Sequence, residues 1–176
     1  MNAAHLMANR WSRRLAAAVP LLALCLLPQG LACAAPPAAG AEADAALIEA
    51  CLGDPSMRGR DPHECGDRVL QACGATGSGG GAASAVLSCE KRREEAWNVI
   101  ARQTYHALES RLDDAGRHLL RASQAQFELD LRDLCALARV LVASDAELAA
   151  ASCASDLVAS RALSLRRLAK PDAAAH

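Results

Sequence analysis

Apolar residues recur every three or four positions along most of the chain after residue 43, a spacing that predicts amphipathic α-helices. Two long helices are predicted over residues 82–112 and 113–142, a last helix over 144–170, and two shorter helices over 43–52 and 62–73. The connections between the long helices are short, which implies antiparallel neighbours. The expected fold is therefore all-α, a small antiparallel helical bundle.

The apolar stripe of each long helix predicts which residues face the core. These positions are Cys89, Trp97, Ile100, Ala101, Thr104, Tyr105, Leu108 and Leu112; then Leu120, Gln124, Phe127, Leu131, Leu134, Cys135, Ala138 and Leu141; and finally Leu148, Cys153, Leu157, Arg161, Leu165 and Leu168. Gln124 interrupts an apolar row, so we expect a hydrogen-bonded, buried amide. The charged run 91–95 is interpreted as a solvated face with local ion pairs, and Ser144 with Glu147 as a capping box. The three aromatic side chains are predicted to be core residues and not a ligand-stacking platform.

The first residues have the organisation of an export signal. A basic segment with three arginines precedes the apolar run 15–27, and residues 32–34 (Ala-Cys-Ala) supply an A-x-A cleavage site. The apolar run is shorter than the roughly 20 residues needed to span a bilayer, so a cleaved signal peptide is favoured over a membrane span. A lipoprotein is the alternative, because residues 31–33 resemble the end of a lipobox and would place a lipid anchor on Cys33.

Six of the eight cysteines lie downstream of residue 34, and an even set in an exported chain predicts disulfide bonds. Cys135 and Cys153 lie on consecutive predicted helices on either side of a short turn. An antiparallel hairpin brings them level, so we predict that they are bonded. The other four are expected to pair among themselves, in an order that the sequence leaves open: Cys51, Cys65, Cys73 and Cys89.

Charge and composition narrow the classes of partner. Removing residues 1–34 takes away three of the 19 basic residues and none of the 20 acidic ones, so the mature chain has 16 against 20, a net charge of −4. This balance argues against nucleic acid as a partner and favours a cationic one.

Alanine is abundant and β-branched residues are few, a composition that favours helices over sheet.

A search for catalytic, metal-binding and cofactor motifs finds none. The histidines at positions 63, 106 and 118 have no nucleophile at a motif spacing, and no Cys-x2-Cys pair predicts a zinc or redox site. The glycine-rich stretch 74–81 lacks the Gly-Lys-Ser/Thr ending of a phosphate-binding loop. We therefore predict that the protein is not an enzyme and needs no metal or cofactor.

The second half of the chain carries a Leu-x3-Gln-x2-aromatic segment, then Arg-Asp-x-Cys, then Cys-x7-Arg near its end. The positions concerned are Cys89, Trp97, Tyr105, Leu112, Leu120, Gln124, Phe127, Arg132, Asp133, Cys135, Cys153 and Arg161. This pattern resembles that of the lysozyme-inhibitor LprI-like domain family. Family members usually carry tryptophan where Phe127 stands.

The resemblance implies a small helical, disulfide-bonded domain of the cell envelope, in a family named after a lipoprotein that inhibits lysozyme. Together with the export signal and the composition of the leader, it divides the chain into a signal peptide (1–34), a flexible leader with a cysteine-bearing helical extension (35–83), an LprI-like domain (84–170) and a disordered tail (171–176). The matching non-cysteine residues then have structural roles. Arg132 and Asp133 are interpreted as a structural ion pair, with Arg161 as a further partner, in preference to a catalytic or ligand pair.

Two functions remain open at this point. The first is a periplasmic or secreted binding protein whose partner is a basic lysozyme or another envelope protein. The second is a structural or stress-related periplasmic domain with no enzyme target. A contiguous exposed apolar or acidic patch near a groove would favour the first function, and a uniformly mixed surface the second.

Overall fold

The structure is a computed structural model that describes residues 37–75 and 82–170. Within these ranges the chain forms five α-helices and three short 3₁₀ helices, and no strand. The α-helices are α1 (Pro37–Gly53), α2 (Asp67–Ala75), α3 (Ala82–Glu109), α4 (Asp114–Leu141) and α5 (Ala146–Ala169). The predicted all-α helical bundle is confirmed. The predicted signal peptide with Cys33, residues 35–36 of the predicted leader, residues 76–81 of the glycine-rich stretch and the predicted tail 171–176 lie outside the described residues.

The first half of the fold differs from the predicted helices at two places. Helix α1 begins at Pro37, so residues 37–41 are helical where the sequence suggested a flexible leader. Proline suits the first turn of a helix, and the alanines after it have high helix propensity. The single helix predicted over 62–73 is divided into a 3₁₀ helix (Pro62–Gly66) and α2, which continues through Gly74.

Helices α4 and α5 form an antiparallel hairpin. Cys135 lies opposite Cys153, and Gln124 lies opposite Arg161, so residue numbers fall along one helix as they rise along the other. The predicted capping box between these helices is wrong. Residues Ala143–Asp145 form a 3₁₀ turn instead, in which the Ser144 hydroxyl donates to the Asp145 carboxylate and makes no cap to α5.

The core lies mainly between α3 and α5, which share the most extensive interhelical contact, and α1 and α2 pack against α3. Trp97 and Ile100 of α3 are fully buried with Ile48 of α1 and Val158 of α5. The packing is close around the indole. A Cβ added to Gly66 would lie 2.8 Å from Trp97 Nε1, so only glycine fits at this contact. A second cluster joins Leu108, Leu120 and Leu165.

The charged run at the start of α3 is not simply a solvated face, as the sequence suggested. Arg92 makes two hydrogen bonds to Asp44 of α1, at 2.8 and 3.0 Å, and Asp44 is buried. Arg93 lies 3.1 Å from Asp156 of α5 and 3.7 Å from Asp67 of α2. These two arginines therefore connect α3 to three other helices.

Three disulfides join elements that lie close together along the described chain. Cys51–Cys65 ties α1 to the 3₁₀ helix before α2, Cys73–Cys89 ties α2 to α3, and Cys135–Cys153 ties α4 to α5, with Cα separations of 5.5, 5.6 and 5.5 Å. The predicted bond between Cys135 and Cys153 is confirmed. The remaining four cysteines pair among themselves as expected, and the structure supplies their order.

Candidate functional site

A groove runs between α3 and α4, because both helices pack on α5 and contact each other little. It contains two cavities of about 380 and 220 Å³. The larger one lies beside the Cys135–Cys153 disulfide, between Glu94 of α3 and the alanines of α5. The smaller one, here called the Arg161 cavity, is lined by Asn98, Ala101, Arg102, Tyr105, His106, Gln124, Phe127 and Arg161.

Arg161 of α5 joins this helix to α4 beside the smaller cavity. Its Nε donates to Gln124 Oε1 at 3.2 Å, and its Nη1 donates to Ser123 Oγ at 3.0 Å. The guanidinium carbon lies 5.6 Å from the centre of the Phe127 ring, within the range of a cation–π contact. Gln124 in turn donates to Glu128 at 3.1 Å. The expected hydrogen-bonded amide is present, although Gln124 is half-buried and not enclosed.

The Arg161 charge has no carboxylate partner among the described residues, although its side chain is partly buried. Most of the other described arginines form ion pairs, as Arg92, Arg132 and Arg166 do. Burial lowers the pKa of Arg161 below its ordinary value, and the nearby Tyr105 partly opposes this effect. The ordinary pKa of arginine is so high that the group stays protonated. Its Nη2 is shielded from solvent and has no hydrogen-bond acceptor within the described chain. The motif arginine is thus a partly buried cation held by neutral groups.

Arg132 and Asp133 form the expected ion pair, with Nε 2.9 Å from Oδ1, but both side chains are 68% exposed. Arg161 is not a partner of Asp133, because the register of the hairpin places it one helical turn or more away, beside Ser123 and Gln124. An exposed pair of neighbouring residues contributes little to stability.

The three aromatic residues fall into two groups. Trp97 is buried, at 1% exposure, as predicted for a core residue. Phe127 and Tyr105 pack against the two apolar clusters but are only half-buried, because each also lines the Arg161 cavity. The motif residues Leu120 and Leu112 lie in or against the second cluster.

A second surface feature lies at the C-terminal end of α4. The side chains of Leu134, Leu137, Val140 and Leu141 are 49, 52, 74 and 73% exposed. Their spacing of three and four residues places them on one face, here called the α4 apolar patch. The prediction that Leu134 and Leu141 face the core is therefore wrong, and so is that for Leu168 of α5, which is also exposed.

Carboxylates border the α4 apolar patch. Asp130 and Asp133 precede Leu134 and Leu137 by four residues and so lie on the same face, one turn earlier. Asp133 is paired with Arg132, whereas Asp130 accepts a hydrogen bond from Gln126 at 2.8 Å and carries an unneutralised charge. The patch thus combines exposed leucines with an acidic border. The sequence contained this signal, because α4 has more apolar positions than a single core-facing stripe accommodates.

Chemistry-bearing residues elsewhere are sparse. His63 Nε2 lies 3.5 Å from Ser160 Oγ, a contact that sequence motifs did not indicate. This distance exceeds the usual reach between a catalytic base and its nucleophile, and Ser160 is exposed. No cluster of three or more metal-ligating side chains occurs in residues 37–75 and 82–170.

Comparison with protein-family models, with curated proteins and with solved structures finds no match for this chain. The LprI-like resemblance therefore remains a hypothesis that rests on the motif residues. Of the helices described here, none is both long and apolar enough to cross a membrane.

Proposed function

We propose that this protein is an exported cell-envelope protein that binds a cationic partner protein through the α4 apolar patch, without catalytic turnover. The α4 apolar patch with its acidic border is the observation that carries this proposal. The LprI-like resemblance makes a basic lysozyme the first candidate partner. The proposed location is the periplasm or the exterior, and in the lipoprotein alternative the anchor is Cys33.

The exposed leucines support binding because their burial by a partner would be favourable, at about 25 cal/mol per Å² of apolar surface. The patch begins next to Cys135, whose disulfide to Cys153 fixes α4 on α5. A rigid surface loses little conformational freedom on binding, so more of the contact energy appears as affinity. The location beside a disulfide therefore favours a preformed contact surface.

Charge favours a cationic partner over a second copy of the chain. The mature chain carries 16 basic and 20 acidic residues, a net charge of −4, so two copies repel each other. Asp130, whose charge is not neutralised by a neighbour, lies where a lysine or arginine side chain of a partner would be attracted. A basic protein that presents an apolar side chain between cationic ones fits both features.

The test is binding of the purified, oxidised protein to lysozymes of several types, with inhibition of cell-wall lysis measured in parallel. Leu137→Ser combined with Leu141→Ser should weaken binding by roughly tenfold or more, because both side chains would lie at the centre of the interface. Leu119→Ser is the matched control, since Leu119 is an exposed leucine of α4 outside the patch. It should leave affinity unchanged, and all variants should keep the wild-type unfolding free energy.

Two further measurements, the salt dependence of association and the oligomeric state, distinguish a cationic partner from self-association. If the partner is cationic, association should slow markedly as salt approaches 1 M, where the Debye length is about 3 Å. Absence of binding to every lysozyme would reject the inhibitor proposal and leave the structural or stress-related alternative. A dimer in sedimentation that the double serine variant abolishes would instead assign the patch to self-association.

A further inference from the structure

We propose that the Arg161 cavity binds a small organic anion, a carboxylate carrying a short apolar or aromatic tail. The cavity lies between α3, α4 and α5, and the patch proposed above for the partner protein does not line it. The two proposals therefore rest on different residues and are tested independently.

The electrostatics of the cavity favour an anion. Its lining includes the cations Arg161 and Arg102 and no carboxylate side chain, in a chain that is acidic overall. Arg102 is neutralised by Glu95 at 3.2 Å, so Arg161 supplies the uncompensated charge. Cations withdrawn from solvent in proteins are usually paired with an anion. Here the partners on the chain are a neutral amide and a hydroxyl.

The hydrogen-bonding state of Arg161 points the same way. Two of its three nitrogens already donate, to Gln124 and Ser123. The third, Nη2, is shielded and has no acceptor. Buried polar groups nearly always have a hydrogen-bond partner. A carboxylate in the cavity supplies the counter-charge and a charge-assisted acceptor that the chain does not provide. Because Nη2 has almost no accessible surface, its bond to the ligand requires a shift of the Arg161 side chain.

The remaining walls define the rest of the ligand. Phe127, Tyr105 and Ala101 provide an apolar and partly aromatic surface beside the charge. The cavity of about 220 Å³ is smaller than the roughly 300–1,000 Å³ typical of sites for drug-sized ligands. A single ring or short chain is the size that fits. Inorganic phosphate would satisfy the charge but would leave this apolar surface without a contact.

Calorimetric titration of the purified, oxidised protein with benzoate tests the proposal, with benzamide, acetate and inorganic phosphate as comparison probes. We expect benzoate to bind at least roughly tenfold more tightly than neutral benzamide, which matches it in shape, because the amide oxygen accepts a hydrogen bond but carries no charge to pair with Arg161. Benzoate should also bind more tightly than acetate and phosphate, because neither of them has a ring to contact the apolar walls. Equal affinities for benzoate and benzamide, or binding of phosphate alone, would overturn the proposal.

The variant Arg161→Gln should weaken benzoate binding by roughly tenfold or more. Arg167→Gln is the matched control, because it removes the same charge from an exposed position of the same helix. An equal loss of affinity in both variants would reject a specific site. If Arg161→Gln does not fold, the wild-type protein still decides the matter. The Arg161 Nε–H resonance should shift on titration with benzoate and stay in place with sodium chloride at the same ionic strength. An unmoved resonance would place any benzoate binding elsewhere.

Discussion

Helices α3 and α4 have the same length, 28 residues, yet they use their apolar side chains differently. In α3 Trp97, Val99, Ile100 and Leu108 are buried, and Val86 near its start is exposed. In α4 only Leu120 and Cys135 are buried, and its C-terminal half exposes Leu129, Leu134, Leu137 and Leu141. Helix α3 therefore forms the core, whereas α4 leaves apolar surface exposed. The second is the better candidate for contact with a partner.

The packing of α5 explains this asymmetry. Its buried face consists largely of small residues, including Ala159 and Ala162, which lets the large side chains of α3 approach closely. Helix α4 packs on α5 but hardly on α3, so part of its apolar surface has no neighbour in the described chain. The groove with the Arg161 cavity occupies the space between α3 and α4.

The largest expected effect tests the core role of α3. Trp97→Ala should lower the free energy of unfolding by about 3–5 kcal/mol, because it removes a fully buried side chain from a closely packed site. Phe127→Ala should cost less, since Phe127 is half-buried beside an existing cavity. Leu137→Ala should change the free energy of unfolding by less than about 0.5 kcal/mol, because this side chain is exposed. Urea unfolding followed by circular dichroism measures all three, and equal losses would contradict the division between α3 and α4.

How far this division follows from sequence can be judged from individual residues. A repeat of three and four residues fixes which side chains share a helix face, and so the helices and the buried Trp97 were predictable. It does not show whether a second helix covers that face. Leu134 and Leu141 fit the core pattern of α4 and yet are exposed. Arg92 looked like a surface cation, but its partner Asp44 lies 48 positions away in sequence.

The candidate sites were harder to predict from the sequence, because a sequence repeat does not show how one helix packs against another. The motif pattern selected Gln124 and Arg161, but the choice between Gln124 and Asp133 as the partner of Arg161 depends on the register of α4 against α5. The pairing of Cys135 with Cys153 was predictable, because the two cysteines lie at matched distances from one short turn. The other two disulfides required the positions of α1 and α2 on α3.

The second prediction concerns the attachment of α4. Replacing Cys135 and Cys153 together by alanine should lower the free energy of unfolding by roughly 3 kcal/mol, since the bond closes a loop with a sequence separation of 18. Hydrogen exchange should accelerate in the C-terminal half of α4 and the start of α5 and stay slow in α3 around Trp97. Acceleration throughout α3 would show that the two regions unfold as one unit. Replacing Cys73 and Cys89 is the matched control, because that loop has a similar separation of 16 but attaches α3.

The smallest expected effect lies in the groove between the two helices, at Glu94 of α3. Burial raises the pKa of Glu94 above its ordinary value of 4.5, the charge of Glu95 raises it further, and Lys91 partly opposes them. The folded state therefore holds this proton to higher pH than the unfolded state, so the carboxyl group destabilises the fold increasingly as pH rises above about 4.5. Glu94→Gln should make the protein more stable at pH 7, by less than about 1 kcal/mol because the group is half-exposed. The gain should vanish below pH 4.5, where glutamate is protonated in both states. A gain from Glu94→Gln that persists in acid would exclude burial of the charge as its cause.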